Sequence, residues 1–168
     1  SMSYISYMIF DLHNDLPTSD MSVRDRRLKA LSVTDSVIYA FWTTELQRPV
    51  EYIKKGLDDF GGSAGMFAVE DLGFLTDGDI NALCEYKPLY CGLTHNSDNH
   101  LAGGAMGDGC LTEFGKEVIR RLNKADIAVD AAHLNRKSFY KVADVAERLI
   151  NSHTGLDWMC GHCRNLTD

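Results

Sequence analysis

The stretch "LTEFGKEVIRRLNKADIAVDAAH", residues 111–133, contains a helical pattern followed directly by a strand pattern. Thr112 stands where a helix-capping residue is expected. The apolar residues behind it recur at helical spacing on one face: Phe114, Val118, Ile119 and Leu122. The run "IAVDAAH" is continuously apolar, which is typical of a parallel strand that is buried on both faces. The stretch therefore predicts one helix–strand unit of an α/β fold.

Six apolar runs of this kind are spaced along the chain, and polar or Gly-containing segments and helical patterns separate them. They are "YMIFDLHND" (7–15), "SVIYAFW" (36–42), "GMFAVED" (65–71), "LYCGLTH" (89–95), "IAVDAAH" (127–133) and "RLINSHT" (148–154). A further helix is predicted over 135–149 behind an Asn135 cap, and shorter ones at about 50–57 and, behind Thr76, at about 77–84. This β/α alternation predicts an α/β fold with a parallel sheet.

The composition restricts the class of protein. A chain of 168 residues with 45% hydrophobic and 24% charged residues is typical of one globular domain, here 1–168. The net charge of -7 argues against nucleic acid as a partner. No apolar stretch reaches the roughly 20 residues of a membrane span, and no signal peptide is recognisable, so we expect no membrane partner and a cytoplasmic location. Five irregularly spaced cysteines fit free thiols better than disulfides.

Five of the six apolar runs end in side chains that can bind a metal ion or move a proton. These side chains are His13 and Asp15, Glu70, His95, His133 and His153. Because the carboxyl ends of parallel strands meet on one face, we expect them to lie on a common rim. Neutral imidazoles and carboxylates in such a group suit Zn²⁺ or a similar cation.

Each of these residues also has a structural interpretation. A single histidine at a strand end is more often a hydrogen-bonding group than a metal ligand, and only the joint occurrence favours a metal site. His100 in the Gly-rich loop and His162 near the end of the chain are interpreted as surface or supporting residues. Asp71 would point away from Glu70 on a strand and is interpreted as structural.

The stretch "CGHC", residues 160–163, raises the alternative of a redox dithiol or a zinc site. Redox motifs of this kind normally begin a helix after the first strand of a βαβ unit, and this one follows the sixth strand pattern. A structural zinc site would need two further ligands, and Cys84, Cys91 and Cys110 supply no second pair. Both alternatives are disfavoured.

Several stretches together resemble the membrane dipeptidase family, also called renal dipeptidase-like or peptidase family M19, among the amidohydrolase-type metal-dependent hydrolases. They are "DLHNDLP" (11–17), "FAVED" (67–71), "GLTHNSDNHLAGG" (92–104), "LTEFGKEVIRRLNKADIAVDAAHLN" (111–135), "INSHT" (150–154) and "RNLTD" (164–168). They occur in the order of the family, and the match is weakest from about 18 to 60.

The resemblance implies a (β/α)8 TIM-barrel type fold and a metalloprotease that hydrolyses dipeptides through a metal-bridging hydroxide. Two zinc ions are expected, and dipeptides are the expected partner; homo-oligomer formation stays open. Carried over residue by residue, His13 and Asp15 resemble ligands of one zinc, and His133 and His153 ligands of the other. Glu70 resembles the bridging carboxylate.

Two further residues resemble groups that contact the substrate. His95 resembles the histidine that polarises the reacting carbonyl, and it is the predicted catalytic residue. Arg164 resembles the arginine that binds the free carboxylate of the dipeptide, a task suited to its bidentate guanidinium.

The chain also departs from the family pattern. A barrel of this type needs eight β/α units and about 250 residues, whereas this sequence predicts six strands. The last two units would therefore be absent, together with the family's aspartate at the end of the eighth strand. We expect a fragment of a longer protein; a shortened homologue and a catalytically impaired or non-catalytic metal-binding relative are the alternatives.

Overall fold

The computed structural model describes residues 10–15, 36–43, 49–59 and 67–167. Six strands of these residues form one parallel sheet in which spatial order follows chain order. They are β1 (Phe10–Asn14), β2 (Ser36–Trp42), β3 (Phe67–Glu70), β4 (Tyr90–Gly92), β5 (Ala128–Asp130) and β6 (Leu149–Ile150). The predicted α/β fold with six β/α units is confirmed, and the sheet has the arrangement of part of a TIM barrel. The first residues of two predicted strands, 7–9 and 65–66, lie outside the described residues.

The described residues include four α-helices, each between two of these strands: α1 (Pro49–Asp59), α2 (Asp77–Tyr86), α3 (Glu113–Lys124) and α4 (Arg136–Ala143). The three predicted caps are confirmed. Thr76 and Asp79 form a reciprocal capping box, Thr112 Oγ1 accepts from Gly115 N at 2.9 Å, and Asn135 Oδ1 accepts from Ser138 N at 2.8 Å. Each cap satisfies backbone donors that the first helical turn leaves unpaired.

Helix α4 ends earlier than the sequence pattern predicts. The predicted helix runs to 149, but the observed helix ends at Ala143. Asn123, on α3, donates from Nδ2 to the carbonyl of Val145 at 2.9 Å and accepts at Oδ1 from the amide of Glu147 at 3.1 Å. These bonds hold the backbone of 145–147 outside a helical path, because they occupy the groups that would continue the helical ladder.

The core lies between the sheet and the helices. Every residue of β3, β4 and β5 is buried, as the continuous apolar runs predict. From α3, Val118, Ile119 and Leu122 are fully buried against this sheet. Across the described ranges, no helix has the length and apolar character required to cross a membrane.

The Gly-rich segment after β4 is a loop, as predicted, and Asp98 organises it. The Asp98 carboxylate accepts hydrogen bonds from the amides of Gly104, Asp108 and Gly109 at 2.8 to 3.2 Å. The amide of Ala105 in this loop donates to the carbonyl of His133 at 2.7 Å. The loop therefore supports the backbone that follows β5.

Candidate metal and substrate site

Four histidines of the predicted rim form a continuous row at the carboxyl end of the sheet. The ring centroids of His13 and His153 are 3.8 Å apart, those of His153 and His133 4.9 Å, and those of His133 and His95 4.4 Å. Trp42, the last residue of β2, extends the row with its ring 5.1 Å from His95. The structure therefore brings together side chains that are up to 140 residues apart in the chain.

Glu70 stands at the centre of this row and is 8% exposed. Its Oε1 lies 2.8 Å from His133 Nε2 and 3.6 Å from His153 Nε2, and its Oε2 lies 3.7 Å from His13 Nε2. Two groups of three residues have ligand atoms within 4.8 Å of one another: His13, Glu70 and His153, and Glu70, His95 and His133. Because Glu70 belongs to both groups, its two oxygens can serve two cations.

The grouping differs in detail from the allocation that the resemblance implies. The resemblance assigns Asp15 to the same zinc as His13, but the side chain of Asp15 is 52% exposed. Its Oδ1 lies 3.1 Å from His13 Nε2, so it adjoins the site without belonging to either group of three. In the structure His153 groups with His13 and His133 groups with His95. The assignment of individual ligands to individual ions stays a prediction.

His13 owes its position to an irregularity in β1. The register between β1 and β2 shifts between Asp11 and Asn14. Asp11 accepts hydrogen bonds from the amide of His13 at 3.2 Å and from Asn14 Nδ2 at 2.7 Å, and these bonds hold the irregular segment. Such a break in strand pairing changes the direction of a side chain and is frequent beside functional sites.

His133 has a strained backbone, with φ at 68° in the left-handed region. A non-glycine residue in this region costs free energy and persists where surrounding contacts hold it. The His133 carbonyl accepts from the Ala105 amide at 2.7 Å and from Thr94 Oγ1 at 3.4 Å. In this backbone conformation the imidazole of His133, three residues after the end of β5, faces Glu70.

Three histidines have an oxygen of the protein beside Nδ1 and direct Nε2 toward Glu70. His133 Nδ1 lies 3.0 Å from Asn96 Oδ1, and His153 Nδ1 lies 2.7 Å from Ser152 Oγ. His13 Nδ1 lies 2.9 Å from the hydroxyl oxygen of Tyr90, which donates its own proton to the carbonyl of Leu12. In its neutral form, an imidazole that donates from Nδ1 presents a lone pair on Nε2, and a metal ion binds through that lone pair.

The donor set fits a divalent cation. His133 Nε2 and His153 Nε2 lie 2.8 Å apart, so one cation can contact both nitrogens. The carboxylate of Glu70 adds the negative charge that imidazoles lack. Three imidazole nitrogens and a buried carboxylate are ligands that Zn²⁺ prefers.

Arg164 reaches the same site from the segment that follows β6. Its Nη2 lies 2.7 Å from His133 Nε2. Its Nε is buried and has no hydrogen-bond partner in the described part of the chain. A buried guanidinium donor without an acceptor is costly, so this side chain suits an anionic ligand such as a carboxylate.

The charges of Glu70 and His13 stabilise each other. Burial alone would raise the pKa of Glu70, but the hydrogen bonds with His13 and His133 outweigh it and hold this pKa well below its ordinary range. Burial alone would lower the pKa of His13, but its bonds with Asp15 and Glu70 raise it to about 9. The centre of the site is therefore an ionised carboxylate beside a cationic imidazole.

His153 and His95 have lowered pKa values, which favour their neutral forms. Burial and the charge of His13 lower the pKa of His153 to about 4. Burial and the neighbouring His133 lower the pKa of His95. A neutral imidazole at His95 keeps one nitrogen able to donate and one able to accept.

The residues interpreted as structural lie outside the site. Asp71 has φ at 62°, and its Oδ1 accepts from the amide of Gly73 at 2.9 Å and from Asn99 Nδ2 at 3.1 Å. His100 is exposed and stacks on Phe114. In "CGHC" both cysteines are free and exposed.

Sequence reasoning missed the residues that orient the histidines. Tyr90, Asn96 and Ser152 lie within the sequence stretches quoted above, but the sequence pattern assigns them no role. One signal was available, because Asp130 is an acidic residue inside a continuous apolar run. A buried carboxylate needs partners, and such a residue indicates a polar network.

Comparisons with known proteins found similar sequences. The family model described as membrane dipeptidase (peptidase family M19) matches residues 58–168. An uncharacterized dipeptidase of Schizosaccharomyces pombe is 30% identical over 102 residues, which are 55% of this chain and 24% of that protein. An uncharacterized protein of Acinetobacter calcoaceticus is 32% identical over 59 residues, 34% of this chain and 19% of that protein. The chain therefore covers less than two thirds of either relative.

Solved structures show the same fold. A metallopeptidase from Rhodobacter sphaeroides, solved with a phosphinate mimic of the dipeptide L-Ala-D-Ala, aligns with a TM-score of 0.76 and 14% identity over 95% of this chain and 68% of its own. A metallopeptidase described as dipeptidase AC of family M19 aligns with a TM-score of 0.77 and 15% identity, over 95% of this chain and 67% of its own. At this identity the likeness concerns the fold alone.

Proposed function

Because the chain belongs to the membrane dipeptidase family, peptidase family M19, we propose that its protein is a zinc-dependent dipeptidase that binds two zinc ions. The observation that carries the proposal is the convergence of three imidazole Nε2 atoms on the buried carboxylate of Glu70. His13 and His153 would hold one ion, and Asp15 lies beside this group. His133 would hold the other ion, with His95 nearby. Glu70, which belongs to both groups, would bind both ions. Zinc held by these residues would supply Lewis acidity and would make water a nucleophile near neutral pH.

Arg164 would bind the carboxylate of the dipeptide. Its Nη2 is already at the site, beside His133, and the proton on its buried Nε has no acceptor among the residues that the structure describes. A guanidinium fork binds a carboxylate through two parallel hydrogen bonds. A substrate held in this way must have its free carboxylate close to the bond that is cleaved, so cleavage is directed to the last peptide bond of the substrate, which in a dipeptide is its one peptide bond.

His95 would donate a hydrogen bond to the carbonyl oxygen of the peptide bond. It lies beside His133 on the side of the site away from His13, and its pKa is lowered, so its ring is neutral near pH 7. A donor placed where negative charge develops stabilises the transition state more than the ground state. Trp42 packs against the His95 ring and limits its movement.

Hydrolysis of L,L dipeptides and of L,D dipeptides such as Leu-D-Ala, with added Zn²⁺, tests the proposal in this chain and in any longer natural form. Glu70→Gln keeps the shape of the side chain and removes the charge, and we expect it to abolish zinc binding and turnover. Glu117→Gln makes the same exchange on the exposed face of α3 and should leave both unchanged.

Two outcomes would contradict the proposal. Absence of zinc binding in the wild-type chain would contradict the metal site itself. Zinc binding without turnover in both the chain and the longer form would instead indicate the alternative, a non-catalytic metal-binding member of the family.

A further inference from the structure

Buried Asp130 and partly buried Ser152 form a polar pair beside His13 and His153. Asp130 is the last residue of β5 and is 3% exposed. Its Oδ1 accepts from the amides of Ala132 and Ser152, both at 3.0 Å. Its Oδ2 accepts from the hydroxyl of Ser152 at 2.5 Å. The carboxylate thus fixes both the backbone and the hydroxyl of Ser152 after β6.

The hydroxyl oxygen of Ser152 also contacts two imidazoles. It lies 2.7 Å from His153 Nδ1 and 3.4 Å from His13 Nδ1. A serine hydroxyl has one proton, and an ionised carboxylate can only accept. Because that proton is directed to Asp130, the oxygen can only accept from the imidazoles. His153 must then have its proton on Nδ1.

We propose that Ser152, oriented by Asp130, is a positioning residue that holds neutral His153 in its Nδ1–H form and so presents Nε2 as a zinc ligand. The inference rests on the proposed function in that His153 is taken as a ligand. In many metal sites a carboxylate accepts directly from a metal-bound histidine and so orients it. Here the hydroxyl of Ser152 lies between the carboxylate of Asp130 and the ring of His153. The effect is specific to the group of His13, Glu70 and His153, because His133 has a separate acceptor in Asn96.

The first test is the tautomer of His153 in the zinc-free chain. Long-range ¹⁵N–¹H correlation spectra near neutral pH distinguish Nδ1–H from Nε2–H imidazoles, and His153→Gln identifies the signal. We expect the Nδ1–H pattern in the wild-type chain and in Ser152→Thr, which keeps the hydroxyl. In Ser152→Ala we expect a mixture or the Nε2–H pattern.

The second test is zinc affinity, measured by competition with a chelator. Loss of an orienting partner of this kind weakens metal binding roughly 10- to 100-fold, and we expect this loss in Ser152→Ala and near wild-type affinity in Ser152→Thr. Asn96→Ala, which removes the acceptor of His133, should leave the His153 tautomer unchanged.

Two results would overturn the inference. One is an Nε2–H pattern for His153 in the wild-type chain, which remains readable even when Ser152→Ala does not fold. The other is a folded Ser152→Ala variant with the wild-type tautomer and zinc affinity. Neither readout involves peptide hydrolysis, so an inactive chain would contradict the proposed function and leave this inference intact.

Discussion

His133 Nε2 and His153 Nε2 lie 2.8 Å apart, and both face the carboxylate of Glu70. Each ring has an oxygen acceptor at Nδ1, and Arg164 Nη2 lies 2.7 Å from His133 Nε2. A divalent cation bound between these two nitrogens and Glu70 would interact with both imidazoles and with the carboxylate. Cation binding at this place would therefore stabilise the folded chain.

We expect zinc to stabilise the chain against unfolding. A ligand that binds only the folded state contributes about 2.7 kcal/mol at a free concentration of 100 times its Kd, or about 5–10 °C in Tm for a domain of this size. His133→Asn should lose most of this increment, and asparagine tolerates the left-handed φ of position 133 better than alanine does. Thermal unfolding with and without Zn²⁺ measures the effect. An equal increment in the wild type and His133→Asn would contradict the site, and the exposed His100→Ala should behave as the wild type.

The zinc-free chain should be most stable near pH 6.5. The pKa of His13 is raised from 6.5 to about 9, so its contribution is fully present below pH 6.5 and is lost as the pH rises through 9. The pKa of His153 is lowered from 6.5 to about 4, so stability is also lost as the pH falls from 6.5 to 4. Urea unfolding with a chelator, repeated across this pH range, measures the free energy of unfolding on both sides of the maximum. His13→Gln should reduce the pH dependence on the alkaline side, and His153→Gln should reduce it on the acid side. A variant that changes the opposite side would contradict the assignment.

The rim of the site could be predicted from the sequence because strand ends are local features. An apolar run that ends in His or Glu is visible in a few residues, and parallel pairing then brings such ends together. The orienting partners could not be predicted in this way. Tyr90 meets His13 across 77 positions, and this contact follows from sheet register and side-chain direction. The left-handed φ of His133 also has no sequence signal, since glycine or asparagine is the usual indicator.

The end of α4 shows a related limit. The apolar spacing continues past Ala143 to Leu149, so periodicity alone extends the helix. The competing bonds come from Asn123, on a different helix, and a pattern within one segment contains no information about them. Local signals such as the caps at Thr76, Thr112 and Asn135 were reliable because their partners lie three residues away.

Gly115→Ala should destabilise the chain although alanine is the better helix former. A Cβ at Gly115 would lie 2.1 Å from the carbonyl oxygen of Leu101, a backbone atom that cannot move without displacing the loop. We expect a loss of about 1–3 kcal/mol, as for other overpacked sites. Gly78→Ala is the matched control on α2, where the added Cβ meets its nearest atom at 3.8 Å and the variant should gain up to about 1 kcal/mol. Urea unfolding measures the free energy of unfolding of both variants. A Gly115→Ala variant more stable than the wild type would contradict the close packing of α3 on the loop.

Arg164→Met should raise KM for dipeptides and abolish the preference for a free carboxylate. A charge-assisted hydrogen bond to carboxylate contributes about 1.5–3 kcal/mol, so we expect kcat/KM to fall about 10- to 100-fold for a dipeptide and little for its C-terminal amide. The measurement is the ratio of kcat/KM for dipeptide over dipeptide amide, in the form of the protein that shows turnover. Arg148→Met, which removes an exposed arginine paired with Asp126, should keep the wild-type ratio.

Zinc affinity must be measured in parallel, because Arg164 also contacts His133. A lower kcat/KM with an unchanged ratio and weakened zinc binding would show that Arg164 supports the metal site and does not bind the substrate carboxylate.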